Sequence, residues 1–131
     1  MQIEGLDHVV LTAQDVQATA DFYARVLGMR VELHEDPTHT FHFGSLYFGW
    51  QKINLQQAGH EFEPRALQPT PGSADFCFVT TASLDEVVRH LQSCGVPILE
   101  GPVHRTGARG EMMSIYFRDP DQNLLEIAHY D

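Results

Sequence analysis

The sequence runs through one order of elements twice, and this repeat constrains the fold more than any other feature. A strand-like alternation of apolar residues is followed by apolar residues at helical spacing, and the same order returns in the second half. His8 precedes Asp75 by 67 residues, and Gly28 precedes Gly95 by the same interval. The repeat predicts an α+β fold of two βαβββ modules, which we expect to form a curved eight-stranded mixed sheet with a concave site.

The two modules and the segment between them have predicted limits, within a single domain over 1–131. The first module covers 1–57, with strands near 4–12, 29–35, 40–48 and 51–57 and a helix near 16–27. The second covers 74–131, with strands near 74–80, 97–100, 111–118 and 123–129 and a helix near 84–94. Proline and glycine recur in 58–73 and indicate a linker, and 101–110 is a second segment that we expect to be irregular.

Composition and charge exclude several classes of protein. The chain has 131 residues and a net charge of −10, so it lacks the basic stripe of nucleic-acid or anionic-membrane binders. No apolar run approaches the roughly 20 residues of a membrane span, and the first residues do not resemble a signal peptide. We therefore expect a cytoplasmic protein, in which Cys77 and Cys94 are reduced.

Strand parity brings polar side chains to one face of the predicted sheet. Because alternate residues of a strand share a face, each of four strands directs a potential ligand into the concavity. These candidates are His8, Asn54 or Gln56, Asp75 and Glu126. An imidazole and two carboxylates are suited to a divalent cation that keeps open positions for water or substrate.

Three further residues are candidates for substrate binding. Ser114 and Tyr116 share a face near Glu126, and Arg105 lies on the glycine-bracketed segment, where a guanidinium can hold a carboxylate or phosphate. His39 and His42 form an HxxH pair, which is a weak metal signal by itself.

The chain resembles the vicinal oxygen chelate superfamily of glyoxalase I, bleomycin-resistance proteins, fosfomycin-resistance enzymes and extradiol dioxygenases. The matching segments are 6–11 (LDHVVL), 22–23 (FY) with 27–29 (LGM), and 116–127 (YFRDPDQNLLEI). Segments 52–55 (KINL), 101–103 (GPV) and 105–107 (RTG) are similar to the glyoxalase domain-containing protein 5-like branch.

This resemblance implies a divalent metal, namely zinc, nickel, manganese or magnesium, held by side chains from the first, fourth, fifth and eighth strands. By position, His8 and Glu126 match two ligands, and Glu126 is also the candidate catalytic group. Asp75 stands where histidine is usual, and the fourth-strand position, a glutamate in glyoxalase I, falls on Asn54 or Gln56. The usual glycine of the turn before the last strand is Gln122.

The resemblance implies a metal-dependent lyase or isomerase that acts on a small vicinal-oxygen substrate, as in a lactoylglutathione-lyase-like reaction. One alternative is a non-catalytic drug- or metabolite-binding protein of the bleomycin-resistance type, and another is an extradiol dioxygenase-like enzyme. We also expect a homodimer.

Overall fold

Among the residues that the structure describes, two sheets of four strands each carry one helix. The structure, a computed structural model, describes residues 1–38 and 40–131, so His39 of the HxxH pair lies outside the described residues. The chain divides into a first unit, Met1–Pro71, and a second unit, Gly72–Asp131. The first contains β1 (His8–Ala13), α1 (Val16–Leu27), β2 (Arg30–Glu35), β3 (Phe41–Phe48) and β4 (Gln51–Gln57). The second contains β5 (Asp75–Val79), α2 (Leu84–Ser93), β6 (Glu100–Gly107), β7 (Gly110–Arg118) and β8 (Leu124–Tyr130).

Both units have the same strand order, which confirms the predicted α+β fold of two βαβββ modules. The sheets run β1-β4-β3-β2 and β5-β8-β7-β6. In each, the first strand pairs in parallel with the fourth, and the remaining pairs are antiparallel.

Local capping interactions define the two helices, whose limits lie close to the predicted 16–27 and 84–94. Asp15 accepts a hydrogen bond from the Ala18 amide at 3.1 Å and begins α1, which Gly28 ends at a φ of 68°. Ser83 accepts from the Glu86 amide at 3.2 Å and begins α2. These interactions join residues no more than four apart, which is why sequence alone locates them.

Each helix packs on one face of its own sheet. In the first unit, Tyr23 of α1 is fully buried together with Leu46 and Ile53 of the sheet. In the second unit, Leu91 of α2 is 1% exposed, and the sheet contributes Phe117. The opposite face of each sheet carries the polar candidates.

The segment 101–110 is more regular than expected. We predicted a strand near 97–100 followed by an irregular loop. Both predictions were wrong, because β6 is Glu100–Gly107, which pairs with β7 around a bulge between Glu100 and Val103. Gly101 lies in the bulge at a φ of 112°, and a Cβ there would come within 2.5 Å of the Ser114 carbonyl oxygen. The bulge admits Pro102, which has no amide to donate, so the glycine and proline do not break the strand.

The turn between β7 and β8 is held by a buried carboxylate. Asp119, 3% exposed, accepts hydrogen bonds from the amides of Asp121 and Asn123 and from the Asn123 side chain. Gln122 has a φ of 70°, the left-handed conformation that glycine adopts without strain. Its carbonyl oxygen accepts a hydrogen bond from Arg118 at 3.0 Å.

Within the part of the chain that the structure describes, neither helix is long and apolar enough to span a bilayer.

Candidate functional site

The face of the second sheet opposite α2 places Glu126 between a thiol and a phenol. By strand register, Cys77 of β5 lies directly opposite Glu126 on one side and Tyr116 of β7 on the other. Asp75 is two residues from Cys77 and therefore shares its face. The sheet thus brings two of the three predicted metal ligands, Asp75 and Glu126, to one face.

Glu126 is incompletely satisfied. The residue is only partly exposed. Its carboxylate interacts with the Cys77 thiol and the Tyr116 hydroxyl, whereas its Oε2 atom is buried and has no partner at ordinary hydrogen-bond geometry among the described residues. A buried carboxylate oxygen without a donor or a cation is costly in free energy. This oxygen is therefore the feature of the face that most needs a ligand.

A hydrogen-bonded pair extends from Glu126 across the sheet. The Arg105 Nε donates to the Tyr116 hydroxyl oxygen at 2.9 Å, and the guanidinium carbon lies 5.2 Å from the ring centroid. The pKa of Tyr116 is raised, mainly by partial burial. The hydrogen bond from Arg105 lowers this pKa, and the charge of Glu126 raises it. Since the phenol oxygen accepts from Arg105, its own proton is free to point elsewhere, and Glu126 is its cross-strand neighbour.

Arg105 has its donors engaged. Its Nη1 donates to the His104 carbonyl oxygen at 2.9 Å, and its Nη2 lies 3.3 Å from a Glu100 carboxylate oxygen. The bond to Tyr116 is the main cause of the raised pKa of Arg105. The guanidinium therefore already has a carboxylate partner, which reduces its capacity to hold an anionic substrate.

Cys77 was not among the sequence candidates, although it is a free, exposed cysteine on the edge strand β5, directly opposite Glu126. Partial burial of the thiol, together with the charge of Glu126 and its hydrogen bond, raises the pKa of Cys77 to about 11. The parity that selected Asp75 also selects this residue, but its direct pairing with Glu126 required the strand register.

We expect the Cys77 thiol to be slow to alkylate in metal-free protein. A pKa of about 11 against the ordinary 9.0 leaves about 100-fold less thiolate at pH 8, since one pKa unit is a factor of ten. Glu126→Gln removes a charge that raises this pKa, so iodoacetamide should then react several-fold faster. Mass spectrometry of Cys94→Ser protein in EDTA isolates Cys77, and an unchanged or slower rate would contradict the expectation.

Ser114 is the least accessible of the predicted substrate-binding residues. It is on the Tyr116 face, between Val103 and Ala128, and is 0% exposed. Its hydroxyl oxygen has no hydrogen-bond partner among the described residues.

On the face of the first sheet opposite α1, His8 has one nitrogen oriented by a carboxylate. Its Nδ1 lies 2.7 Å from Asp7 Oδ1, and the side chain is 44% exposed. A proton on Nδ1 in this contact leaves Nε2 with the lone pair. Histidines that ligate metals commonly have such a carboxylate behind them.

The two candidates for the fourth ligand share the His8 face but lie at different distances along β4. Gln56 pairs with Thr12 and is 4% exposed. The Gln56 Nε2 donates a hydrogen bond to the Thr12 hydroxyl at 2.9 Å. Asn54 pairs with Val10, two residues nearer to His8, and its Oδ1 accepts from Ser45. Register therefore favours Asn54, whereas the residue directly opposite His8 is Lys52.

The donor chemistry on these faces fits a divalent cation in two respects. Glu126 has a buried oxygen that a cation would satisfy. The Nδ1 atom of His8 contacts Asp7, which leaves Nε2 for a metal. Among residues 1–38 and 40–131, no three His, Cys, Asp or Glu side chains are grouped as a metal site. The fit therefore rests on the state of the individual donors.

Comparison with known families decides the relationship. The family model described as "Glyoxalase/Bleomycin resistance protein/Dioxygenase superfamily" matches residues 5–127. The chain belongs to this superfamily. The superfamily assignment confirms the resemblance seen in the sequence, whereas the finer branch stays a prediction.

Relatives in the superfamily include proteins from bacteria and a fungus. Virulence protein STM3117 of Salmonella typhimurium is 51% identical over 99% of this chain and 87% of its own length. Its crystal structure matches with a TM-score of 0.91 over all of both chains. Glyoxalase domain-containing protein RDO1 of Mycosarcoma maydis is 49% identical, covering 99% of this chain and 70% of that protein. Metallothiol transferase FosB of Shouchella clausii is 25% identical, covering 98% and 88%.

Proposed function

We propose that this protein is a metal-dependent enzyme of the glyoxalase type, a lyase or isomerase acting on a small substrate with two adjacent oxygen atoms. The observation that carries the proposal is the buried Oε2 of Glu126, which has no donor among the described residues. The superfamily includes metal-dependent enzymes, and one relative is by name a metallothiol transferase.

In this proposal His8, Asp75 and Glu126 hold the cation. Two carboxylates and a neutral imidazole offset a divalent charge, which lowers the cost of partial burial. When bound, the metal would polarise substrate oxygens and stabilise negative charge that develops on them. The metal remains one of zinc, nickel, manganese or magnesium.

Other residues of the second sheet, and Glu126 itself where the metal binds it loosely, are proposed to act on the substrate directly. Glu126 is the candidate to accept or return a proton, since it is the carboxylate whose oxygen lacks a donor. Tyr116 is its cross-strand neighbour and a proposed hydrogen-bond donor to substrate, positioned by Arg105. Ser114 would serve only with a substrate that reaches a fully buried hydroxyl.

Elemental analysis tests this function first. Tag-free protein, dialysed after exposure to zinc, nickel, manganese or magnesium, is expected to retain about one equivalent of a divalent metal. Turnover is then screened with hemithioacetals formed from α-ketoaldehydes and thiols. Failure to retain any of the four metals would overturn the proposal.

A second candidate is a non-catalytic small-molecule-binding protein of the bleomycin-resistance type. The amides Asn54 and Gln56 at the fourth-ligand position favour it, because a neutral amide is a weak ligand and a poor base. Saturable binding of an apolar ligand by metal-free protein, without turnover, would select this candidate. The dioxygenase alternative is weaker, since Asp75 leaves one histidine in the predicted ligand set where an iron site needs two.

The protein is also proposed to act as a homodimer, in line with the superfamily. Light scattering after size-exclusion chromatography at micromolar concentration tests this, and a monomer mass would count against it. A cytoplasmic location stays a prediction.

A further inference from the structure

Lys52 occupies the position on the first sheet closest in register to His8. It is the only lysine in the chain, and it pairs with His8 of β1 on one side and Tyr47 of β3 on the other. Directly paired residues in neighbouring strands direct their side chains to the same face. The ammonium group and the imidazole therefore belong to one face of one sheet.

The charge of Lys52 is not compensated. Its side chain is half-buried, and the only contact of Nζ among the described residues is with the Tyr47 ring, whose centroid is 5.9 Å away. The Asp7 carboxylate is engaged with His8 at 2.7 Å, and Glu32 on the Lys52 face also has other partners. Glu32 lies 2.9 Å from Arg30 and accepts from the Tyr47 hydroxyl at 3.3 Å.

Other positively charged side chains in the described part of the chain either have a partner or are exposed to water. Arg105 is paired with Glu100, and Arg30 with Glu32. Arg109 lies 4.3 Å above the Tyr130 ring at the tip of a hairpin. Arg89 also has no acceptor among the described residues, but it is exposed on α2, where water solvates it. Lys52 differs because it is partly removed from water and has no ion-pair partner among the described residues.

We propose that Lys52 binds an oxyanion of the substrate, a carboxylate or a phosphate, and so selects an anionic substrate. A partly desolvated ammonium without an anion is unfavourable, and an oxyanion ligand supplies both charge and hydrogen-bond acceptors. The chain as a whole has a net charge of −10, so the positive charge of Lys52 makes this part of the sheet a local exception that attracts an anion. This inference rests on the proposed function, because the bound anion is taken to be part of the substrate of that enzyme. It puts the anionic group of the substrate beside the proposed ligand His8.

The test uses inorganic phosphate and acetate as probes, with acetamide as the neutral counterpart of acetate. Amide shifts of β4 are followed by NMR in EDTA at constant ionic strength, so metal is not involved. We expect saturable shifts with at least one anion and none with acetamide. Lys52→Met should weaken the affinity at least tenfold, Lys52→Arg should restore part of it, and Arg89→Met should leave it unchanged.

Each outcome has a defined meaning. A response to only one anion supports the proposal and identifies the group as carboxylate or phosphate. No saturable response to either anion, or equal affinity in Lys52→Met, would overturn it. Metal content of Lys52→Met is measured separately. If no variant or parent binds metal while anion binding still depends on Lys52, the proposed enzyme function fails and this inference stands.

Discussion

Glu126→Gln is expected to weaken the affinity of the protein for its divalent metal by about 100-fold or more. Changes one shell farther from a metal already cost about 10–100-fold in affinity, and loss of a charged ligand should cost at least as much. The amide keeps the shape of the side chain but removes the charge that would satisfy the cation. Titration calorimetry or competition with a chelator measures the ratio of dissociation constants.

A matched control separates this effect from a general change in charge. Glu86→Gln alters an exposed glutamate in the first turn of α2 and should leave metal affinity within about twofold. His8→Ala should behave like the Glu126 variant. Equal metal affinity in parent and Glu126→Gln would remove Glu126 from the ligand set.

Asp119→Ala is expected to lower the free energy of unfolding by about 3 kcal/mol, since each buried donor left unsatisfied costs about 1–3 kcal/mol. The carboxylate accepts from the Asp121 amide at 2.9 Å, the Asn123 amide at 3.0 Å and the Asn123 side chain at 2.8 Å. Asn123 in turn accepts from the Ala74 amide at 2.8 Å, so the turn also holds the residue that precedes β5. Urea unfolding followed by circular dichroism measures the change.

Asp21→Ala is the control for this variant. Asp21 is exposed on α1, and its replacement by a strong helix former should change the stability by less than about 0.5 kcal/mol. A loss below about 1 kcal/mol in Asp119→Ala would mean that water replaces the carboxylate in the turn. The sequence resemblance marked this segment as a motif, and the structure supplies its physical reason.

Prediction from sequence was successful where the governing interactions are local. The limits of α1 follow from the Asp15 cap and Gly28, and those of α2 begin at Ser83. The faces of β1 and β4 follow from alternation of apolar residues, which depends only on neighbours along one strand. The prediction that 101–110 is irregular was wrong, because pairing with β7 accommodates Gly101 and Pro102 within a strand.

The repeat, the capping residues and strand parity determined the element order and the candidate faces from the sequence by itself. Only the tertiary structure decided which side chains are neighbours across strands. The pairing of Lys52 with His8 joins residues 44 apart, and that of Cys77 with Glu126 joins residues 49 apart. Such register depends on hydrogen bonds and core packing between distant segments. Local propensity carries no information about it, so the uncompensated lysine and the buried carboxylate oxygen became visible only in the folded chain.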